Sequence, residues 1–517
     1  MMLTIKQIKR LREYRPLLFI LLPALLLRLL SAIFSRGFGM HDDHFLVIEP
    51  SYWWSQGINY QEWLPMNGLH PHPDGHSLFY SGLHYLFFVV CNGAGIADPQ
   101  VRMLLVRVIH ALFSLLTVYF AYRITEKISG KKEAFTAALL TAFFWFMPFL
   151  SVRNLVEIVC IPFLMYGAWL IISAYDARKP LWRYFAAGLV MGLAFSVRFQ
   201  TASFIAGLGL AMLILKLWKP TLVFGIGVLA SVLPVQGLID YFIWGAPFTE
   251  FAEYVRYNIQ AANDYIIGPW YNYILLLAGI LIPPVSIFLL TGFFASWRKQ
   301  LLLFLPAFVF LVFHSVFPNK QERFIFPVIP FVIVLGTAGW SAMMQKSGFL
   351  KRHRGFISGS WKFFWIVNII LLLAISFSYS KKSRVEAMTY LSGYKDVKMI
   401  LLEDSRHNSA KMVPVYYMGQ WADVMEKSKT GLRMNFRRRF TDADSLKYAR
   451  FVLFFEKDSL EGRVNMLRTY LPGLEYETTI RSGMVDRFMH WINPVNLNQD
   501  IYIYRNKAYF PEKKKER

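Results

Sequence analysis

The sequence PLLFILLPALLLRLLSAIFSR, residues 16–36, indicates the fold class of this chain. It contains two arginines and no acidic residue. About 20 apolar residues are enough for a helix to cross the hydrocarbon of a membrane. Ten similar runs follow, near residues 102–122, 134–150, 155–175, 183–201, 202–217, 220–240, 272–295, 300–317, 324–343 and 359–379. The sequence therefore predicts a mainly α protein, a transmembrane bundle of about eleven spans.

The composition agrees with a membrane protein. Of the 517 residues, 55% are hydrophobic and only 17% are charged, whereas soluble domains carry about 25% charged residues. The net charge of +23 comes from Lys and Arg that cluster between the apolar runs. This pattern favours the lipid bilayer over nucleic acid as the partner, and we find no nucleic-acid-binding motif. Cys91 and Cys160 lie in apolar surroundings and predict free buried thiols.

The basic residues predict the orientation, because cytoplasmic loops of membrane proteins are enriched in Lys and Arg. The basic segment 6–15 precedes the first run, and a basic cluster follows every even-numbered run, including Arg178 and Lys179. This pattern puts the first outer segment, 37–101, and the tail 381–517 on the non-cytoplasmic side. Within the former, 77–97 is too polar for a span, and we interpret it as an interfacial helix or a re-entrant segment.

The tail differs in character from the rest of the chain. Its apolar runs shorten to strand length at 398–404, 450–458, 476–480 and 500–506, and stretches with helical patterns lie at 408–427 and 459–471. Strands that alternate with helices predict a small α/β domain. We therefore divide the chain into a transmembrane domain, 1–380, and an extracytoplasmic α/β domain, 381–517.

An acidic stretch follows the first span. The sequence HDDHFLVIE begins at His41 and ends at Glu49, and it contains Asp42, Asp43 and His44. A solvated loop would explain single carboxylates, but two adjacent aspartates repel each other and a loop needs neither. A metal site and a general base that accepts a proton from a hydroxyl are the functional alternatives. The spacing leaves both open, although the helical His pair of zinc proteases is missing.

A basic stretch precedes the tenth span. The sequence NKQERFIFP begins at Asn319 and holds Lys320, Glu322 and Arg323. Basic residues are disfavoured at a non-cytoplasmic helix end, so we expect these charges to bind an anion or each other. A phosphate suits Lys and Arg. Arg198, at the outer end of the fifth span, is a candidate for the same site.

Two further features carry polar chemistry. The loop 240–273 combines aromatic rings with an amide, in particular Tyr257, Asn258 and Trp270, and this combination suits carbohydrate. Arg153 and Glu157 border the fourth span, and their spacing of four residues allows them to pair with each other on a helix. A charge at membrane depth costs about 3 kcal/mol on insertion scales and usually marks a pathway or a pair.

In these motifs the chain resembles the C-type multispanning glycosyltransferases, specifically the alpha-mannosyltransferase family of GPI-anchor and N-glycan precursors. The family's first-loop motif, H-x-D-E with a later Glu, corresponds to Asp42, Asp43 and Glu49. Its H-K-E-x-R-F-x-x-P motif resembles NKQERFIFP. Its loop motif, D-x-x-x-Y-G … Y-N … G-x-x-P-W-x-x-Y, is matched by Asp240, Gly245, Tyr257, Asn258, Pro269, Trp270 and Tyr273.

The motifs also depart from the family pattern. Asn319 replaces the His of the second motif, and Glu322 is displaced by one position. Asp43 replaces the Glu of the acidic pair, so either aspartate is a candidate base. His76 and Ser77 stand where the family has Arg-Ser.

The resemblance implies an enzyme that moves a sugar, mannose in the family, from a polyprenyl-phosphate donor to a glycan or lipid-linked acceptor. The transfer would invert the anomeric carbon on the non-cytoplasmic face, and the compact tail favours a bacterial inner-membrane member. Asp42 or Asp43 would be the general base. No cofactor is certain from the sequence, and a divalent metal is left open but not indicated. The roles of the remaining residues are donor-phosphate binding for Lys320, Arg323 and Arg198, and acceptor or sugar binding for Glu49, His41, Tyr257, Asn258 and Trp270.

A transporter or flippase of lipid-linked saccharides is the alternative function. Arginines inside the apolar runs fit a transporter too. A transporter, however, needs its charged residues near the middle of the membrane, whereas this sequence concentrates them at one outer face.

Overall fold

A computed structural model describes residues 16–65, 73, 75–175, 180–264, 267–434, 438–440, 443–494 and 496–509 of the chain. The basic segment 6–15, with Arg178 and Lys179, lies outside the described residues. The chain forms two compact units. The first unit holds the residues up to Ile33 together with Glu62–Leu83 and Leu105–Phe377, and the second holds Phe34–Gln61, His84–Leu104 and Ser378–Arg517.

Apolar helices dominate the first unit. Among the described residues, six helices are long and apolar enough to cross a membrane: Pro16–Phe34, Pro99–Ser129, Val156–Tyr175, Trp218–Trp244, Glu322–Lys346 and Arg354–Ser376. Shorter apolar helices cover Leu78–Gly93, Trp182–Val197, Phe199–Ile214, Val285–Ala295 and Leu301–Val316. The other helices are Lys131–Phe143, Met147–Ser151, Thr249–Gln260, Asn272–Ile280 and Gly348–Arg352. The mainly helical fold is confirmed, while the number of spans stays a prediction.

The predicted span at 272–295 is interrupted. The run 272–295 forms two helices, Asn272–Ile280 and Val285–Ala295, with Pro283 and Pro284 between them. Proline has no N–H to donate and excludes the preceding residue from helical geometry, so the helix ends there.

The segment 77–97 forms the helix Leu78–Gly93, and its place at the membrane surface stays a prediction.

Close packing fixes the helix Trp182–Val197 against Trp218–Val232. A Cβ added at Gly188 would lie 2.1 Å from the Phe224 carbonyl oxygen, and one at Gly227 would lie 2.2 Å from that of Phe185. Small residues let the backbones of membrane helices approach closely where lipid provides no hydrophobic driving force. This contact determines where the end of Trp182–Val197, and with it Arg198, is held.

The second unit contains a seven-stranded mixed sheet. Its strands are β1 Met399–Asp404, β2 Asp423–Ser428, β3 Gly431–Met434, β4 Arg438–Phe440, β5 Phe451–Phe455, β6 Leu474–Ile480 and β7 Ile501–Asn506, in the order β4-β3-β2-β1-β5-β7-β6. β1 runs parallel to β2 and β5, and the other pairs are antiparallel. Helices Asp42–Phe45, Ile48–Ser55, Lys382–Leu391, Leu460–Arg468 and Met484–Ile492 complete it.

The sequence was right about a small α/β region in the tail but wrong about one of its helices. The predicted helix 408–427 is replaced by a short 3-10 turn, Val415–Met418, followed by β2. Pro414 precedes that turn and Gly419 ends it in the left-handed region, with φ at 68°. Both residues interrupt a helix, and the pairing of β2 with β1 then decides the outcome.

Two glycines in one helix provide a matched test of the close packing. Gly227→Ala should lower the free energy of unfolding by about 1–3 kcal/mol, the usual cost of overpacking. Gly225→Ala should leave stability unchanged or raised, because nothing lies within 4 Å of its added Cβ. Thermal unfolding of both variants in detergent, followed by the recovery of monodisperse protein, measures the difference. Equal midpoints for the two variants would contradict the assigned contact.

Candidate active site

Two arginines of the first unit meet at one buried carboxylate. Arg198 follows the end of Trp182–Val197 in an extended conformation, and Arg323 lies in the 3-10 segment Glu322–Val328. Their guanidinium groups contact the same oxygen of Glu157: Arg198 Nη1 is 2.7 Å and Arg323 Nε is 3.5 Å from Oε1. The structure thus brings together two of the three predicted phosphate ligands.

The position of Glu157 explains this arrangement. It is fully buried and lies in the first turn of Val156–Tyr175, where the helix dipole favours a negative charge. Two guanidinium groups thus meet one carboxylate in this cluster. The buried Nε of Arg198 has no hydrogen-bond partner in the described part of the chain, and Gln200 accepts from its Nη2.

The sequence pointed to Arg153, four residues from Glu157, as its partner and did not indicate Arg198 or Arg323. Arg153 precedes the helix that begins at Val156, so the two residues do not share one helix, and a contact between them stays a prediction. The guanidinium carbon of Arg153 lies 4.3 Å from the centre of the Phe149 ring. A buried carboxylate needs a cation beside it, and both Arg198 and Arg323 lie at ends of apolar runs. This combination could have indicated them as partners of Glu157.

Lys320, the third predicted phosphate ligand, is directed at backbone. Its Nζ donates to the carbonyl oxygens of His314 at 3.1 Å, Ser315 at 2.8 Å and Phe317. These groups end the helix Leu301–Val316, whose last carbonyls have no partner within the helix. Lys320 therefore caps this helix, and its role in binding phosphate stays a prediction.

The predicted sugar-binding loop packs on Lys320. Ile267 forms a β-bridge with Asn319, and a Cβ added at Gly268 would lie 2.9 Å from Lys320 Cγ. Only glycine allows the loop to approach this closely. The Tyr273 ring centre lies 5.6 Å from Lys320 Nζ, so the loop covers the capping lysine.

A buried acidic pair anchors the start of the same loop. Gln236 Nε2 donates to Asp240 Oδ1 at 2.7 Å and to Glu250 Oε2 at 2.6 Å. The Glu250 N–H donates to Asp240 Oδ2 at 2.9 Å, and the Leu78 N–H donates to Glu250 Oε2 at 3.0 Å. Burial and the nearby charge of Asp240 raise the pKa of Glu250 to about 8. The pair fixes the helix Thr249–Gln260, which begins at this point.

That helix carries rings toward the Arg198 segment. The ring centres of Phe251 and Tyr254 each lie 5.3 Å from that of Phe199. Of the predicted sugar contacts, Tyr257 is 46% exposed and Trp270 is 65% exposed. Asn258 Nδ2 donates to the Tyr254 carbonyl oxygen at 2.8 Å.

In the second unit, the acidic stretch forms the short helix Asp42–Phe45. Asp43 is buried, and its Oδ2 accepts from the Gly39 N–H at 2.7 Å. Asp42 is half-buried, and His41 is exposed. The two aspartates therefore differ in access, since Asp43 stabilises the loop whereas Asp42 is partly open to solvent.

Glu49 connects the acidic stretch to the tail. It is buried, with His44 Nε2 at 3.3 Å from Oε1 and Trp53 Nε1 donating to Oε2 at 2.6 Å. The Tyr416 N–H also donates to Oε1, at 3.0 Å. The His44 ring stacks on that of Tyr417 at 5.6 Å. Both Glu49 oxygens are thus engaged within the protein, a geometry that fits positioning of the acidic stretch.

Among the described residues, no group of three or more His, Cys, Asp or Glu side chains is arranged to hold a metal ion. The acidic stretch is instead tied by hydrogen bonds to backbone N–H groups and to an indole.

Comparisons with known proteins agree with the motif resemblance. A model of the Alg9-like mannosyltransferase family matches residues 18–424. GPI mannosyltransferase 3 of Debaryomyces hansenii is 22% identical over 412 residues, a match that covers 75% of this chain and 70% of that protein.

Solved structures extend the agreement to the fold. ArnT from Cupriavidus metallidurans bound to undecaprenyl phosphate superimposes with a TM-score of 0.60 at 12% identity, covering 94% of this chain and 97% of ArnT. The oligosaccharyltransferase AglB from Archaeoglobus fulgidus, in complex with an inhibitory peptide and a dolichol-phosphate, gives a TM-score of 0.51 at 12% identity, covering 90% of this chain and 73% of AglB. This likeness confirms the fold of multispanning C-type glycosyltransferases.

The acidic pair predicts a pH dependence of stability. The pKa of Glu250 is near 8 in the folded protein and 4.5 ordinarily, so the folded state holds a proton that the unfolded state releases as pH rises. The contribution of Glu250 to stability is therefore complete below pH 4.5 and is lost progressively up to pH 8.

Glu250→Gln mimics the protonated acid and should flatten this slope, gaining stability relative to wild type at pH 9 but not at pH 5. Unfolding midpoints measured across this range test the expectation. Glu253→Gln, on the same helix in a surface ion pair with Arg256, should keep the wild-type slope. A Glu250→Gln curve parallel to wild type would exclude Glu250 as the group that titrates.

Proposed function

Because this chain belongs to the Alg9-like mannosyltransferase family, we propose that it transfers mannose from a polyprenyl-phosphate donor to a glycan or lipid-linked acceptor. It is an integral membrane glycosyltransferase. We further propose that the transfer inverts the anomeric carbon and takes place on the non-cytoplasmic face of a bacterial inner membrane. Two solved structures of similar fold, one bound to undecaprenyl phosphate and the other to a dolichol-phosphate, support this class of donor.

The observation that carries the proposal is the pair of arginines on one buried carboxylate. A polyprenyl phosphate leaves as an anion, so it needs positive charge rather than a proton donor. Arg198 and Arg323 bring two positive charges to the single carboxylate of Glu157, in surroundings where charge is weakly screened. Lys320 would join them by exchanging one of its carbonyl contacts for a phosphate oxygen.

We propose Asp42 as the general base. It would accept the proton of an acceptor hydroxyl while that oxygen attacks the anomeric carbon, a contribution of typically about 10²–10⁴-fold. The partial exposure of Asp42 supports this choice over the buried Asp43. Asp43, as the alternative base, would have to release the Gly39 N–H that it accepts.

The acceptor roles divide between contact and positioning. His41, Tyr257 and Trp270 have exposed rings that can stack on sugar faces. Glu49 would act through the acidic stretch that it holds, rather than by touching the acceptor. Asn258 would use its amide oxygen, because its Nδ2 already donates within the helix.

The two aspartates should respond differently to amidation. Asp42→Asn should lower kcat at least 100-fold, because it removes the base. Asp43→Asn should lower the unfolding midpoint as well, because it weakens the hydrogen bond from the Gly39 N–H. Mannose transfer from polyprenyl-phosphate mannose to native membrane lipid and glycan fractions, with the purified variants in proteoliposomes, measures kcat. Wild-type transfer by Asp42→Asn would remove Asp42 as the base.

Donor binding should depend on the arginine pair. Arg323→Ala and Arg198→Ala should each raise the Kd for undecaprenyl phosphate about tenfold or more, measured by fluorescence quenching in detergent. Arg198→Lys keeps a charge and distinguishes lost binding from the instability of an uncompensated Glu157, which costs about 3–5 kcal/mol for a buried pair. Arg256→Ala, on an exposed helix face, is the control. Unchanged Kd values in both alanine variants would contradict the phosphate assignment.

A further inference from the structure

A second charged site lies within the second unit. A cavity of about 450 Å³ opens there, a volume within the range of about 300–1,000 Å³ that small-molecule sites occupy. Its walls come from the first outer segment and five parts of the tail. The residues that determine its chemistry are Phe38, His41, Lys381, Arg384, Lys411 and Arg433.

The cavity lining is strongly cationic. Lys381, Arg384, Lys411 and Arg433 face one lining carboxylate, Glu426. Arg384 is only 6% exposed, which is unusual for a guanidinium group without a carboxylate bonded to it. A cleft lined mainly by positive charge attracts anions and raises their local concentration.

Arg384 has a donor that the protein leaves unsatisfied. Its Nη1 donates to the Met412 carbonyl oxygen at 3.1 Å, and its Nη2 donates to Asn498 Oδ1 at 2.8 Å. Its buried Nε has no hydrogen-bond partner among the described residues. Buried donors are almost always paired, so this atom points to an acceptor that a ligand supplies.

The acidic groups near the cavity are already engaged. Glu426 lies opposite Arg433 in the β2–β3 ladder, and its Oε1 accepts from the Ala410 N–H at 2.7 Å. Asp486 acts on Arg384 through its charge, and its Oδ2 accepts from the Lys382 N–H at 3.3 Å. Among the described residues, two carboxylates therefore stand against four cations at this cavity.

The same cations hold the loop that leads to the proposed base. Lys381 Nζ donates to the carbonyl oxygens of Phe38 and Gly39. The Phe38 ring centre lies 5.0 Å from Lys381 Nζ and 5.0 Å from the Arg384 guanidinium carbon. His41 lines the cavity, and its Cα is about 3.8 Å from that of Asp42, the next residue.

We propose that this cavity binds an oxyanion, a phosphate or a carboxylate, carried by a sugar of the acceptor. Arg384 would donate its Nε–H to the oxyanion, Arg433 would bind it through two N–H groups, the geometry that guanidinium offers, and Lys411 would add a third cation. The rings of Phe38 and His41 would contact the sugar. The acceptor is therefore an acidic glycan or glycolipid, and this inference rests on the proposed function for its link to transfer.

The test measures binding without transfer. Calorimetric titration of the purified full chain in detergent uses mannose 6-phosphate, glucuronate, mannose and inorganic phosphate as probes. Mannose 6-phosphate or glucuronate should bind at least tenfold more tightly than mannose and than inorganic phosphate. The double variant Lys411→Gln with Arg433→Gln should raise that Kd at least tenfold, and Arg433→Lys should raise it less.

Two controls separate this site from the donor site. Lys427→Gln changes the next residue of β2, whose Nζ points to Met466 and Tyr470 on another face of the sheet, and should bind like wild type. Arg323→Ala should also bind the acidic sugar normally, whatever its effect on mannose transfer. Equal binding of mannose and mannose 6-phosphate, equal binding of inorganic phosphate, or loss in Arg323→Ala instead of the double variant would each overturn the inference. A failure of mannose transfer with intact acidic-sugar binding would count against the proposed function alone.

Discussion

A buried charge must be paired, and this constraint organises the polar parts of the first unit. Removing an ion from water costs several kcal/mol even after the protein relaxes, so the carboxylate of Glu157 is stable only beside its two arginines. Helix ends provide the geometry: Glu157 begins one helix, Arg198 follows the end of another, and Arg323 lies in a 3-10 segment before a third. The packing of those helices thus decides the electrostatics of the cluster.

The second unit also contains a buried carboxylate, but its partners are of a different kind. Glu49 is buried, like Glu157, but it is satisfied by an indole, an imidazole and a backbone N–H rather than by arginines. One of these donors, the N–H of Tyr416, is 367 residues away in the sequence. The carboxylate therefore joins the first outer segment to the tail, and the position of Asp42 depends on both. The tail is part of the structure that holds the acidic stretch, in addition to any role in acceptor selection.

Residues that sequence patterns mark together need not share a role. Lys320 and Arg323 are three positions apart, yet one caps a helix and the other contacts Glu157. Asp42 and Asp43 are adjacent, yet one is half-buried and the other is buried against Gly39. Asp240, a motif residue, pairs with Glu250, which no motif marked, and the two share their hydrogen bonds through Gln236. In each case the division of roles follows from which side chain the local backbone turns toward a partner.

The sequence alone determined the features that depend on composition and local pattern. Long apolar runs predicted the helical membrane fold, strand-length runs predicted the sheet of the tail, and three motifs predicted the family and the segments that carry its chemistry. Only the tertiary structure decided the partners: Arg198 and Arg323 for Glu157, Tyr416 for Glu49, helix capping for Lys320, and β2 in place of a helix. The physical reason is that hydrophobic periodicity reports how a segment is buried, whereas a hydrogen bond or an ion pair depends on which distant segment packs against it.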